Sequence, residues 1–369
     1  MAIVRTPVTA ALLAGACFAQ SDYLAYVGGY GPGINAFRFH ESNGRLTRIG
    51  LAVETPAPSY IVVHPSGHYL FAVNEKGAKE DSVSAFAIDA KSGKLTLLNT
   101  VPSRGSAPCH LSLDKTGRFL AVANYANGSI AVLPVAPDGH LGQAVGFAQH
   151  HGSSVNKERQ EGPHAHCVVF SPDNRFLFSA DLGADKIFAY RFDAATGSIT
   201  PNDPASVSIT PGSGPRHIEF HPNGKWAYVI TEMASTIELL YYDSARGAFD
   251  AGPSVSTLPE SFRSSNIAAE IALNAAGTIL YASNRGADNM ALFNIDGDRG
   301  VATPKEHTST LGKAPRHFAF DPSGAYLLVT NQDSDNVVVF SVHPKTGELR
   351  PSGPITQKIE KPSCIVFVR

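Results

Sequence analysis

A unit of roughly 50 residues recurs along nearly the whole chain, and such self-similarity leaves few architectures open. The stretches PSYIVVHPSGHYLFAVNE from Pro58, APCHLSLDKTGRFLAVANY from Ala107 and GPHAHCVVFSPDNRFLFSAD from Gly162 superimpose on one another. So do GPRHIEFHPNGKWAYVITE from Gly214, NIAAEIALNAAGTILYASNR from Asn266 and APRHFAFDPSGAYLLVTNQ from Ala314. Each is an apolar run, a turn of x-P-x-G type and a second apolar run. In the turn, Pro presets φ, while Gly67, Gly117, Gly224, Gly277 and Gly324, or Asn174, tolerate positive φ. The flanking runs are rich in Val, Ile, Phe, Tyr and Leu, as strands are.

Two further strand signals follow each hairpin. They are SVSAFAID and LTLLNTV in the first unit, KIFAYRFD and ITPNDPA in the third, and NVVVFSVH and ELRPSGP in the sixth. Four antiparallel strands per unit at this period describe an all-β chain, a β-propeller. Six complete units leave a head, DYLAYVGGY with INAFRFHESNGRLTRIG, that lacks a first strand, and a tail, KPSCIVFVR from Lys361, that supplies one. Joined, they make a seventh blade closed by the N- and C-terminal strands, so no sheet edge is left open at the seam. Residues 21–369 are therefore expected to form a single seven-bladed propeller.

Residues 1–20, MAIVRTPVTAALLAGACFAQ, differ in kind. Arg5 precedes a short apolar stretch that ends in small residues, the pattern of a secretory signal peptide cut near Ala19, too short for a membrane span. This predicts an exported protein, periplasmic or secreted; without a signal in that segment, it would be cytoplasmic. Cys17 stands in AGAC, a loose lipoprotein box. The other cysteines, Cys109, Cys167 and Cys364, are an odd set in different units and make no disulfide framework. A formal net charge of −2 argues against nucleic acid or an anionic membrane as partner.

In a propeller the first strand of each blade lines the central channel. The start of strand one and the end of strand two share a face, and chemistry is confined to those registers. Superposition gives a first register of Ser59, Cys109, His166, Arg216, Ala269, Arg316 and Ser363. One residue further on come Tyr60, His110, Cys167, His217, Glu270, His317 and Cys364. At the end of strand two stand Glu75, Tyr125, Leu182, Glu232, Arg285 and Gln332. One mouth thus collects His164, His166, Arg216, His217, Glu232, Arg285, Arg316 and His317. Converging charges are expensive unless they pair or serve a ligand, and arginine outnumbers glutamate, so an anion is the natural guest. Asn74, Asn124, Asn284 and Asn331, just before that register, read as structural groups satisfying buried backbone. The polar insertion from Ala148 to His166 overhangs the same mouth as a wall or lid. No carboxylate cluster completes a metal set, and three arginines repel a divalent cation.

SSVNKERQEGPHAH, GPRHIEF, Thr231–Glu232 and SNRGADN at Ser283–Asn289 resemble the seven-bladed lactonase family, over essentially everything after residue 22. That family includes the propeller-type 6-phosphogluconolactonases and the fungal carboxy-cis,cis-muconate cyclase. The resemblance implies hydrolysis of a sugar lactone, with the catalytic set on His164, Arg216, Glu232 and Arg285. The motif leaves His164 and His166 open as the site histidine. On this reading Glu232 or a neutral His164 is the general base, and Arg285 and Arg216 hold the oxyanion. His166, His217, Arg316 and His317 bind the substrate's phosphate or carboxylate and its hydroxyls. Neither metal nor other cofactor is demanded, and no GxSxG pattern calls for a covalent nucleophile. A signal peptide departs from the cytosolic setting of a phosphorylated substrate and leaves room for an unphosphorylated lactone. Two alternatives stand beside hydrolysis: a lactonising cyclase acting on a muconate, and a non-catalytic propeller that binds a carbohydrate or protein.

Overall fold

The repeats fold as their strand signals dictate. In a computed structural model, which describes residues 22–77, 81–357 and 359–368, each of seven sheets is built on four antiparallel strands. Innermost strands Pro108–Leu113, Ala165–Phe170, Pro215–Phe220, Ile267–Leu273, Pro315–Phe320, Pro362–Phe367 and Ile61–Val63 each touch the innermost strands of the two neighbouring blades, and the ring closes. The closing blade pairs Pro362–Phe367 with Asp22–Gly29, followed by Gly33–His40 and Arg45–Glu54, as the incomplete head and tail require. One short 3-10 turn, Gln332–Ser334, is the helical content among the described residues.

The x-P-x-G turns take the backbone the residues allow. Gly67, Gly117, Gly224, Gly277 and Gly324 have φ of 69–75°, and Asn174 has 61°. At Gly117 the hydrogen side chain is needed twice over. A Cβ there would come 2.3 Å from Nε2 of His64, which bonds the Gly117 carbonyl and ties one blade to the next. The core lies between blades, where the sheets face one another. Phe178, Tyr242 and Phe249 interlock between the third and fourth blades with centroids 4.6–5.7 Å apart. Asn74, Asn124, Asn284 and Asn331 are buried, and each donates to a backbone carbonyl of the preceding inter-blade connection, the structural role expected of them.

Two element boundaries differ from the sequence reading. The insertion does not begin at Ala148, because Gly146–Gln149 is the fourth strand of the second blade; the excursion runs over 150–164. The fourth strand of the sixth blade is split into Leu349–Pro351 and Thr356–Gln357. Pro351 ends the first piece, and Gly353 and Pro354 lie between the two, where proline lacks the amide a ladder needs.

Candidate active site

Chemistry concentrates where the inner strands begin, and the backbone there is irregular in a repeated way. In six of the seven blades the ladder between strands one and two carries an extra residue at the same place. The unpaired residues are Cys109, His166, Arg216, Arg316 and Ser363, with Ala269 and Glu270 sharing one position. A β-bulge re-aims the extra side chain without ending the strand. In the fourth and sixth blades two successive residues, Arg216 with His217 and Arg316 with His317, therefore line the same cavity, where a regular strand would send one.

Glu232, directly after strand Trp226–Thr231, is the hub. Its amide donates to the Gly214 carbonyl (2.7 Å), which holds it beside the start of its own blade's inner strand. Arg159 Nη2 donates to Oε1 at 2.7 Å, Arg285 Nη2 donates to Oε2 at 2.8 Å, and Arg216 Nε stands 3.3 Å from Oε2. His166 Nε2 is 3.9 Å from the same oxygen. Arg216, Glu232 and Arg285 come from the fourth and fifth blades and are at most 9% exposed in their side chains. Burial pushes the Glu232 carboxyl up, but Arg285, Arg216 and Arg159 outweigh it and the group settles at about 2. Burial disfavours the charge on Arg285, which Glu232 only partly offsets. Three guanidinium charges against one carboxylate leave this group with a net surplus of two positive charges. The Nε–H groups of Arg216 and Arg285 are both buried without an aligned acceptor, an arrangement that normally costs free energy.

His166 is held neutral, first by burial and then by Arg216 and its other cationic neighbours. His164 is placed differently. Its Nδ1 lies 3.0 Å from the Tyr125 carbonyl, its ring stacks on Tyr125, and its Nε2 faces Glu161 at 3.3 Å. Of the two histidines left open by the sequence, His166 is the one beside Glu232.

His217 and His317 lie one step along their strands and turn to Glu270. His217 Nδ1 is 2.9 Å from Glu270 Oε1, and His317 Nε2 is 3.5 Å from Oε2. Half-buried Tyr60 and buried His110 pack on His217 and complete an aromatic layer across the channel. Arg216 Nη1 rests against the His217 ring, 3.2 Å from Nε2, and donates to the Ala269 carbonyl at 2.6 Å. Burial, then Arg216, keep His217 neutral, which this contact needs. Arg316 stands apart from the Glu232 group. Its Nη2 donates to the Tyr30 hydroxyl at 2.9 Å.

Arg159 and Tyr30 were not singled out from the sequence, and Glu270 was placed one residue past the first register without a role. Arg159 had a signal: it is a cation inside a polar excursion over a mouth suited to anions. That excursion is a pinned wall. Buried Gln160 bonds the Leu182 carbonyl and the Asn156 amide, and Asn156 accepts from the Glu158 and Arg159 amides. Arg159 also donates to the Tyr125 hydroxyl at 3.2 Å. Among the described residues no three His, Cys, Asp or Glu are grouped to hold a metal ion, and no helix is long and apolar enough to cross a membrane. Residues 1–20, including Cys17, lie outside the described residues.

Comparison with known proteins converges on one family. The family model described as "Lactonase, 7-bladed beta-propeller" matches residues 24–367. The 6-phosphogluconolactonase of Bacillus subtilis (strain 168) is 35% identical over 353 residues, 95% of this chain and 99% of that protein. The 6-phosphogluconolactonase of Formosa agariphila is 34% identical over 298 residues, 79% of this chain and 83% of its own length. Among solved structures, the periplasmic gluconolactonase PpgL of Pseudomonas aeruginosa superimposes with a TM-score of 0.88 at 35% identity, covering 95% of this chain and 99% of that one.

Proposed function

We propose, from the premise that this chain belongs to the seven-bladed β-propeller lactonase family, that the buried Arg216–Glu232–Arg285 group is its hydrolytic centre. The chain is a 6-phosphogluconolactonase-like lactonase, an enzyme that opens a lactone with water. One observation carries the assignment of the centre. Two buried arginines, each with an Nε–H that meets no aligned acceptor, flank a single carboxylate on the face where the inner strands begin.

Hydrolysis needs a proton taken from water and a place for the charge that builds on the carbonyl oxygen. Arg216 and Arg285 supply the second. Donors fixed in a low-dielectric site act strongly on a developing oxyanion and need no reorganisation. Glu232 supplies the first, and the arginines control when it does. While they hold it, a carboxyl at about 2 is a weak base. As water attacks, the new oxyanion competes for the same guanidinium donors. Each donor drawn away raises the proton affinity of Glu232 at the moment the water must lose its proton. Collapse of the tetrahedral species breaks the bond to the ring oxygen, which leaves as a hydroxyl on taking that proton, and the acid product ionises. Neutral His166, 3.9 Å from Glu232, is placed to relay or hold the proton.

The surplus positive charge suits an anionic substrate. Export is supported by the signal-like residues 1–20, and a solved structure 35% identical to this chain is named a periplasmic gluconolactonase. An exported enzyme would meet unphosphorylated aldonolactones. The test is a panel of δ-gluconolactone, its 6-phosphate and carboxymuconate, followed by titration of acid and by ring-closure absorbance. Acid release from at least one lactone well above the spontaneous rate, with no ring closure, is expected. Ring closure alone would make the centre a cyclase, and binding without turnover would make it a binding module.

A further inference from the structure

Arg316 is the one cation of this mouth with no carboxylate of its own. Arg159, Arg216 and Arg285 all share Glu232, whereas no carboxylate oxygen of a described residue lies within 4.0 Å of Arg316. Its one side-chain hydrogen bond among the described residues is to a neutral acceptor, the Tyr30 hydroxyl, and its guanidinium lies over the Tyr30 ring, 5.2 Å from the centroid. The tyrosine is itself oriented. Its O–H donates to Glu75 Oε2 at 3.0 Å, and the Ser59 hydroxyl donates to the same oxygen. A hydroxyl that donates to Glu75 turns a lone pair to Arg316. Glu75 thus fixes the polarity of the contact, and it acts on the Arg316 charge from a distance without bonding it. A guanidinium has five N–H donors, so four remain uncommitted. A guanidinium whose remaining donors are spent on no carboxylate is free to turn them to a ligand oxyanion.

The position says which part of a ligand. Arg316 belongs to the sixth blade, Tyr30 to the closing blade, and Ser59 and Glu75 to the first; the Glu232 group belongs to the fourth and fifth. Arg216 and Arg316 nevertheless line one small cavity, with Ser59, Cys109 and Ser363 between them. Arg316 also lies within electrostatic reach of Arg285 and Glu232, so a substrate whose lactone carbonyl sits at Arg216 and Arg285 meets Arg316 with a second charged group.

We propose that Arg316 and Tyr30 form a subsite for an oxyanion carried by the substrate away from its lactone carbonyl, a carboxylate or a phosphate monoester. This rests on the lactonase reading and adds the end-to-end orientation of the substrate. Arginine's planar fork matches both groups. Wild type, Arg316→Gln and Arg316→Lys would be assayed on δ-gluconolactone, its 6-phosphate and a glucuronolactone bearing a free carboxylate. For Arg316→Gln the ratio of kcat/KM on a charged lactone to that on the neutral one is expected to fall about 10- to 100-fold, the worth of one or two charge-assisted hydrogen bonds. Arg316→Lys, which keeps the charge and guards against misfolding, should lose less. The charged lactone whose ratio changes more identifies the source of the oxyanion. An unchanged ratio would overturn the proposal. Inorganic phosphate binding, read by calorimetry, separates the two readings. If no lactone is turned over but Arg316→Gln still weakens phosphate binding about 10-fold or more, the subsite stands and the hydrolytic reading falls. If lactones are turned over and neither the ratio nor phosphate binding moves, the subsite falls alone.

Discussion

Replacing Arg285 by Met is expected to lower kcat about 100- to 1000-fold, with KM within a few-fold, on every lactone the enzyme accepts. Arg285 closes strand Ile279–Arg285, so its backbone is fixed by the ladder, and Nη2 is held by Glu232 and by the Ala268 carbonyl at 3.0 Å. Its Nε–H is left buried and unspent. In the ground state the carbonyl oxygen is a weak acceptor and gains little from that donor. In the tetrahedral species it carries a full charge, and the interaction is realised there. A donor acting only in the transition state lowers kcat when removed, whereas a donor for ground-state binding raises KM. Methionine keeps the apolar stem of the side chain, and Arg159 and Arg216 still hold Glu232. Steady-state kinetics on δ-gluconolactone decides between the two outcomes. A variant with intact kcat and a large rise in KM would make Arg285 a substrate clamp.

Glu270→Ala is expected to cost about 2–4 kcal/mol of stability and to lower kcat about 10-fold or more. The carboxylate is buried, accepts from the Ile271 amide at 3.0 Å and faces two imidazoles. Removing it leaves the His217 Nδ1–H and the Ile271 amide without acceptors in a site with little water. The kinetic effect travels by contact. Glu270 fixes which nitrogen of His217 bears the proton, and Arg216 rests against that ring. Glu270 is thus a positioning residue for Arg216. Glu270→Gln, which can still accept from His217, should recover much of kcat while remaining less stable than wild type. Urea midpoints and kcat measured on both variants test this. Equal loss of kcat in the two would mean that the carboxylate's charge, and not the orientation of His217, is what matters.

The repeat made the blades, their number and the closing seam legible, because alternating apolar residues and x-P-x-G turns are local signals that recur often enough to be superimposed. The same superposition placed Arg216, Glu232 and Arg285 at one mouth, and the structure brings those three into contact. What sequence could not show is the bulge. A strand reads as period two, and one inserted residue per blade looks like nothing in a single unit. Yet it is what turns both Arg216 and His217, or both Arg316 and His317, toward the axis. Spacing left His164 and His166 unresolved because residues two apart on a strand share a face. Arg159 was hidden because a loop's side-chain directions follow from its internal hydrogen bonds, here those of Asn156 and Gln160. Tyr30, Glu75 and Ser59 share a hydrogen-bond network only because the ring closes, bringing chain positions 30, 59, 75 and 316 together.

Acid released by Glu232→Gln, followed by pH-stat beside wild type on the lactone that wild type turns over fastest, tests the centre most directly. The substitution keeps the shape of the side chain and an acceptor for the arginines but removes the base. Turnover at least about 100-fold below wild type, in a protein that remains folded, is the predicted result. Turnover equal to that of wild type would contradict it and move the chemistry away from the Arg216–Glu232–Arg285 group.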